Sequence, residues 1–377
     1  MVAARNRIDP GARDGTIKSL QHLRVLAATL IVLYHAELQI TRLTDGWHQH
    51  SLGFGAAGTD LFFIIGGFIL VYISHDRQDT FSTFLYRRMM RIAPLYWLFT
   101  FIMLAVLLVE SKLLLTTKFD LTHFLASLVF LPYPHPVLGI ERPFLFPGWV
   151  LNYFVFFYLL FGSLLFLPTS RRIVVAGSVL CTLVLLWLLV PGTNRLVHFY
   201  GAPVVLDFVL GMLVAWLFLE QYVPFHIIMV VFLAGAAIFT AGVLRHVSGG
   251  DNRTLYWGMA GATLVFTCVM IEKQWGWPNA GLLRNLGDAS YSVFVSHLFA
   301  LALATNVLGK LALFPVLGEN GARIVFVVSA WSVGMVVYIL IERPLMRLLG
   351  RTWPEQTPRV ALVAAEDARA HRIASSH

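Results

Sequence analysis

Ten apolar stretches, centred near residues 31, 65, 101, 158, 181, 210, 234, 263, 298 and 331, divide this chain into pieces long enough to cross a bilayer. A crossing takes about 20 apolar residues as a helix, and hydrocarbon leaves the backbone only two solutions, a helix or a closed barrel. Runs of this length predict an all-α, polytopic membrane body over residues 18–351. The apolar excess covers the whole chain, which is 58% hydrophobic and 13% charged; a soluble domain carries about 25% charged residues. The formal charge of +8 would suit nucleic acid if it were gathered in one patch. Arg and Lys instead sit at the ends of apolar runs, so membrane orientation explains them and no nucleic-acid partner is expected.

An even number of spans puts both termini on one side. Arg5, Arg7, Arg13 and Lys18, then Arg87, Arg88 and Arg91, then Arg171 and Arg172, then Arg343, Arg347 and Arg351 all fall there. The short-loop charge rule makes that side cytoplasmic. Residues 1–17 are read as a cytoplasmic segment, and residues 352–377 as a polar, disordered cytoplasmic tail. No small-residue cleavage site follows the first apolar run, so it is expected to stay as an anchor. Residues 121–131 form an eleventh apolar run of about half a crossing. It is read as a re-entrant or interfacial helix within an external segment, residues 110–148, whose Pro-rich part, 132–147, closes over the outer mouth. Cys181 and Cys268 lie in apolar runs without metal-ligand spacing, so they are read as core thiols and no metal is expected.

His35 lies in the middle of the first run, residues 23–40, eleven positions after Arg24. Eleven helical steps return to within about 20° of the same face and rise about 16 Å. Ionisable groups at mid-membrane depth are costly and face a cavity or a partner. A neutral imidazole there could take a proton from a hydroxyl attacking an activated acyl group. Glu37 lies about 200° round the helix and is no orienting partner. Arg88 and Arg91 share a helical face at the cytoplasmic mouth; two guanidinium forks suit a phosphate or diphosphate, but on the local sequence an ordinary stop-transfer cluster is the favoured reading. Asp60 opens the second span, where a carboxylate can cap a helix. Asp207 lies inside the span near residue 210 and needs a partner or a proton. Ser290 and His297 are seven apart and share a face, but no nucleophile elbow surrounds them, so hydrogen bonding between helices is the favoured reading.

Together these pieces resemble the membrane-bound acyltransferase-3 family, bacterial enzymes that O-acylate surface and secreted carbohydrates. The likeness covers roughly residues 17–347. It rests on Arg24 with His35, GTDLFFIIGGF at 58–68, Arg88 and Arg91 followed by Ile92 and Pro94, GWVLNYFVFFY at 148–158, LGDASYSVFVSH at 286–297 and IERP at 341–344. The GWVLNY segment and compact length look most like members associated with exopolysaccharide modification. The resemblance implies that His35 is the catalytic base and that Arg24 belongs to the same motif. Arg88 and Arg91 would hold the donor, a cytoplasmic acyl-coenzyme A with acetyl as the default group. Asp60, Trp149, Asn152, Ser290, Tyr291 and His297 would line or brace the cavity. The acceptor would be a hydroxyl of a cell-surface or exported polysaccharide or glycolipid, and the bacterial inner membrane the location. Two positions depart from the pattern: Phe154 stands where an acidic residue is common, and Gly66 where a Ser is common. Asp60 or Asp207 would then supply the carboxylate, or the chain is a member without activity. A transporter of polysaccharide or lipid-linked sugar, with His35, Asp207 and His297 along its path, is the competing class, though the matched broken helices it calls for are not found.

Overall fold

The computed structural model describes residues 17–44, 52–75, 79–109, 118–190, 194–248, 250 and 252–350. The N-terminal segment up to residue 16 and the C-terminal tail from residue 351 lie outside the described residues. Thirteen helices follow in order: α1 Lys18–Leu43, α2 Ala57–Ser74, α3 Phe81–Val109, α4 Leu121–Leu128, α5 Gly148–Ser163, α6 Thr169–Leu189, α7 Arg195–Tyr200, α8 Leu206–Glu220, α9 Phe225–Leu244, α10 Met259–Trp275, α11 Gly281–Lys310, α12 Phe314–Val337 and α13 Arg343–Gly350. Among the described residues there is no strand, only one isolated bridge between Pro134 and Glu141. The chain is an all-α polytopic membrane protein. Each of the ten apolar centres falls in its own helix. Nine of these helices, with the turns that continue them, are long and apolar enough to span, and the tenth, Gly148–Ser163, is shorter. At about 1.5 Å per residue α5 reaches only about 24 Å, and the buried residues Phe144 and Leu145 continue it outward as irregular chain.

The packing that matters most for the site is that of α1 against α2, α11 and α12. The first turn of α1 has no side-chain cap of its own. Glu272, near the end of α10, supplies one: its carboxylate accepts the Lys18 and Ser19 backbone N–H groups at 2.8 and 2.7 Å, satisfying donors that a helix start leaves unpaired. Gly287 lets α11 approach closely, because a Cβ there would stand 2.6 Å from the Gln21 carbonyl oxygen. Farther along, buried Glu37 on α1 holds Arg323 on α12 at 2.7 Å. These contacts fix the register of α1 on α11, and so the relation of His35 to His297.

Two arginines assigned to membrane orientation by sequence are also internal braces. Arg172 is buried and donates to the carbonyls of Leu164, Leu165 and Leu167 and to Ser74 Oγ, closing the C-terminal ends of α5 and α2. Buried Arg87 pairs with Asp79 at 2.8 Å. Residues 118–147 form a cap on the bundle end opposite Lys18. Asp120 accepts the His123 N–H at the start of α4, the buried His123 ring bonds the Arg142 carbonyl at 2.8 Å, and Ser127 Oγ accepts the Phe144 N–H. The Arg142 guanidinium lies over Phe146 and Trp149 at 5.5 and 4.9 Å. With eight residues, α4 is far too short to cross a bilayer.

Candidate active site

Two cavities lie along α1, one at the level of Arg24 and one at the level of His35. The first, about 240 Å³, is lined by Arg24, Arg88, Arg91, Tyr158 and Tyr291 and by apolar residues that include Phe62, Ile65, Ile69, Phe154 and Phe294. The second, about 450 Å³, is lined by His35, Gln39, Arg42, His135 and Asn306 with Met103, Phe144, Phe146 and Phe299. Arg24 and His35 therefore share a helix face but not a chamber. What separates them is a row of rings: Phe62, Phe294, His297 and His35 follow one another at centroid distances of 6.0, 6.3 and 4.9 Å. Helix α11 runs past both cavities, giving Tyr291 and Phe294 to the first and Leu298 and Phe299 to the second.

The arginine chamber gathers three cations from two helices. Arg91 pairs with Glu342 at 2.9 Å, and the buried Glu342 carboxylate also accepts from Ser292 Oγ at 2.5 Å. Glu342 ends the π-helical turn Tyr338–Glu342; such turns are rare and recur at functional sites. The IERP segment thus serves to brace Arg91. Tyr291 donates its hydroxyl to the Ile92 carbonyl, two residues before Pro94, tying α11 to α3. Three guanidinium groups meet on this wall, with Glu342 and Asp288 in the field of Arg24, and planar forks of this kind suit phosphate oxygens.

Phe154 and Gly66 meet on the same wall. A Cβ at residue 66 would stand 2.5 Å from Phe154 Cε1, so a larger residue there and this ring exclude each other. The Phe154 ring occupies the space that Gly66 leaves. Phe154 packs on Phe63, Phe208 and Tyr158, so this stretch of wall is apolar and offers no carboxylate.

In the second chamber His35 Nδ1 lies 2.9 Å from the Ile31 carbonyl oxygen and 3.3 Å from Nε2 of fully buried His297, whose own Nδ1 lies 2.7 Å from the Phe294 carbonyl oxygen. The His35 ring also meets Tyr34 and Phe146 edge-on. His35 and His297 are 262 positions apart, and no local spacing could have paired them.

The remaining candidates stand outside both chambers. Asp60 is fully buried in a two-pronged pair with Arg253, at 2.6 and 3.0 Å, so it holds an arginine rather than capping α2. Asp207 is buried near this pair, and a Cβ at Gly258 would stand 2.2 Å from its Oδ1. Trp149 lies between the Arg142 and Arg253 guanidinium groups, at 4.9 and 6.0 Å. Asn152 is buried in α5, and Ser290 donates to the Gly287 carbonyl within its own helix rather than to His297. Arg142 and Arg253, absent from the sequence candidates, both stack on Trp149 at the N-terminal end of α5, and Arg253 also holds Asp60; these contacts exist only in three dimensions.

No solved structure matches this chain. Over 302 residues it is 34% identical to the exopolysaccharide production protein ExoZ of Rhizobium meliloti (strain 1021), covering 79% of this chain and 92% of that one. Residues 17–342 match the acyltransferase domain of the acyltransferase-3 family, a span running from the start of α1 through Glu342 and enclosing both chambers. On that match the chain belongs to the acyltransferase-3 family, and it is an acyltransferase.

Proposed function

We propose that the protein transfers an acyl group, acetyl by default, from acyl-coenzyme A to a hydroxyl of an exported polysaccharide or glycolipid, with His35 as general base. The observation that carries this reading is the pairing of two chambers across one layer of rings, one lined by arginines and the other by the His35 imidazole. The donor's diphosphate and 3′-phosphate suit Arg24, Arg88 and Arg91, and its thin pantetheine arm suits the apolar wall of Phe62, Ile65 and Phe154. The acceptor hydroxyl enters the second chamber beneath the cap. His35 takes the hydroxyl proton as the oxygen attacks the thioester carbonyl carbon. A C–O bond forms, the C–S bond breaks, and the departing thiolate recovers the proton from His35. The pantetheine arm threads past the ring layer to bring the thioester to His35; meeting of the two substrates there supplies orientation, and general base catalysis adds about 10²–10⁴-fold. The charge on Lys18, Arg88, Arg91 and Arg172 favours a cytoplasmic arginine chamber and an outward-facing His35 chamber in a bacterial inner membrane. The similarity to an exopolysaccharide production protein supports a polysaccharide acceptor.

The test is thiol release from acetyl-coenzyme A by purified protein with crude cell polysaccharide, wild type beside His35→Ala. Release that needs both the acceptor and His35 is expected, with the variant at least about 10²-fold slower and donor binding unchanged. Activity that survives in His35→Ala removes His35 from the mechanism.

A further inference from the structure

We propose that His297 is a positioning residue for His35: together with the Ile31 carbonyl it holds the Nδ1 hydrogen that leaves Nε2 free to act as the base; this rests on the reading of His35 given above. The geometry settles the protons one at a time. A carbonyl oxygen can only accept, so His297 Nδ1, 2.7 Å from the Phe294 oxygen, carries a hydrogen. A neutral imidazole has one N–H, so His297 Nε2 presents a lone pair. That lone pair lies 3.3 Å from His35 Nδ1, which also faces the Ile31 oxygen at 2.9 Å. Both neighbours of His35 Nδ1 are acceptors, so the hydrogen of the neutral ring sits there and the lone pair is left on Nε2. This is the less favoured tautomer of a free imidazole in water, and it is the one that catalysis at Nε2 requires. His297 adds a second effect. When Nε2 takes the acceptor's proton, the ring becomes a cation, and a lone pair held against its Nδ1–H stabilises that charge as it forms.

His297 is fully buried, tied to the carbonyl of its own helix, and lines neither chamber. It acts on the substrates only through His35. Ser290, on the same face, is committed to the Gly287 carbonyl and offers no alternative partner. Glu37, the carboxylate nearest in sequence, is held by Arg323.

The experiment compares wild type, His297→Ala and His297→Gln in lipid nanodiscs by two readouts. The first is the ¹⁵N spectrum of histidine-labelled, ligand-free protein, with the His35 signals identified by their loss in His35→Ala. His35 should show a protonated Nδ1 and a bare Nε2 in wild type, an Nδ1 signal displaced toward a weaker hydrogen bond in His297→Ala, where the Ile31 carbonyl alone accepts it, and the wild-type state again in His297→Gln, whose amide oxygen can take the place of Nε2. The second is kinetics with acetyl-coenzyme A and cell polysaccharide. Here kcat should fall about 10- to 100-fold in His297→Ala with both KM values unchanged, and His297→Gln should recover part of it. A His35 Nδ1 signal that does not move in His297→Ala overturns the proposal, as does a kcat loss that His297→Gln leaves in place. If wild type releases no thiol with any acceptor, the reading of His35 as base fails. The spectrum still decides whether His297 sets the ring.

Discussion

The two chambers beside α1 are built from opposite materials. The arginine chamber is held by full charges: Arg91 on Glu342, Glu342 on Ser292, and Arg24 within the field of Arg91, Glu342 and Asp288. The His35 chamber is held by imidazole nitrogens against carbonyls, His35 on Ile31 and His297 on Phe294, and its cap repeats the pattern with His123 on Arg142. A polyanionic donor is gripped by charge that need not move. A base must give up and regain a proton, and neutral carbonyl and imidazole partners hold the His35 ring in place while it does so. One helix serves both tasks because about 16 Å of rise and the rings of Phe62, Phe294 and His297 keep the charges of one chamber away from the base of the other.

The largest expected effect comes from removing a charge that the first chamber relies on. Arg91→Ala leaves Glu342 buried without its ion-pair partner, which costs about 3–5 kcal/mol, so the variant should lose thermal stability in detergent as well as donor binding. Arg88 is not part of the Glu342 pair. Arg88→Ala leaves the Arg91–Glu342 pair in place, so it should cost less stability than Arg91→Ala and raise the KM for acyl-coenzyme A about tenfold, with the acceptor KM unchanged. Equal stability losses in both variants would mean that the wall is one cooperative charge network and not a brace beside a clamp. An unchanged donor KM in Arg88→Ala would return that residue to the role of an orientation charge.

The ring layer is the next point of contrast. Phe294 is nearly buried, and its side chain faces the arginine chamber while its carbonyl holds His297. Phe294→Ala removes the ring and keeps the carbonyl, so it should join the chambers without disturbing the base. Thiol release without acceptor should rise several-fold, because water then reaches the thioester, and the yield of acylated product per thiol should fall. Acceptor-independent release equal to wild type would show that the layer is closed by other side chains.

The spans were legible because each is a continuous apolar run that only a helix can satisfy in lipid, and all ten centres lie in separate helices. His35, Arg88 and Arg91 were legible as candidates because charge or imidazole in such a run is costly. Their surroundings were not. The pairing of His35 with His297 joins α1 to α11, that of Asp60 with Arg253 joins α2 to the turn before α10, and Phe154 meets Gly66 across α5 and α2. Sequence spacing carries no sign of such contacts. Arg172 and Arg87 misled in a different way: a cation near a span end satisfies the orientation rule whether it faces water or, as here, is buried as a brace.

The smallest expected effect lies in the cap over His35. His135 is buried there, and its Nδ1 accepts the Val137 and Leu138 N–H groups at 3.2 and 3.3 Å. Burial first, and the neighbouring His123 second, hold its pKa below the ordinary imidazole value. Arg142 and Glu141 also lie close, but Arg142 is drawn to the Phe146 and Trp149 rings and Glu141 to the bridge with Pro134. A depressed pKa means that the neutral ring's contribution is complete above about pH 6.5 and is lost as pH falls through the lowered value. Protonation removes the acceptor of two long, weak hydrogen bonds, each worth about 0.5–1.5 kcal/mol at most. Hydrogen exchange at Val137 and Leu138, corrected for the intrinsic effect of pH, should therefore quicken a few-fold on acidification. Amides beside the Arg91–Glu342 pair should stay constant over the same interval. A uniform response of both regions would mean that the cap does not loosen by itself, and the contrast between the imidazole–carbonyl contacts of one chamber and the ion pair of the other would not extend to their dynamics.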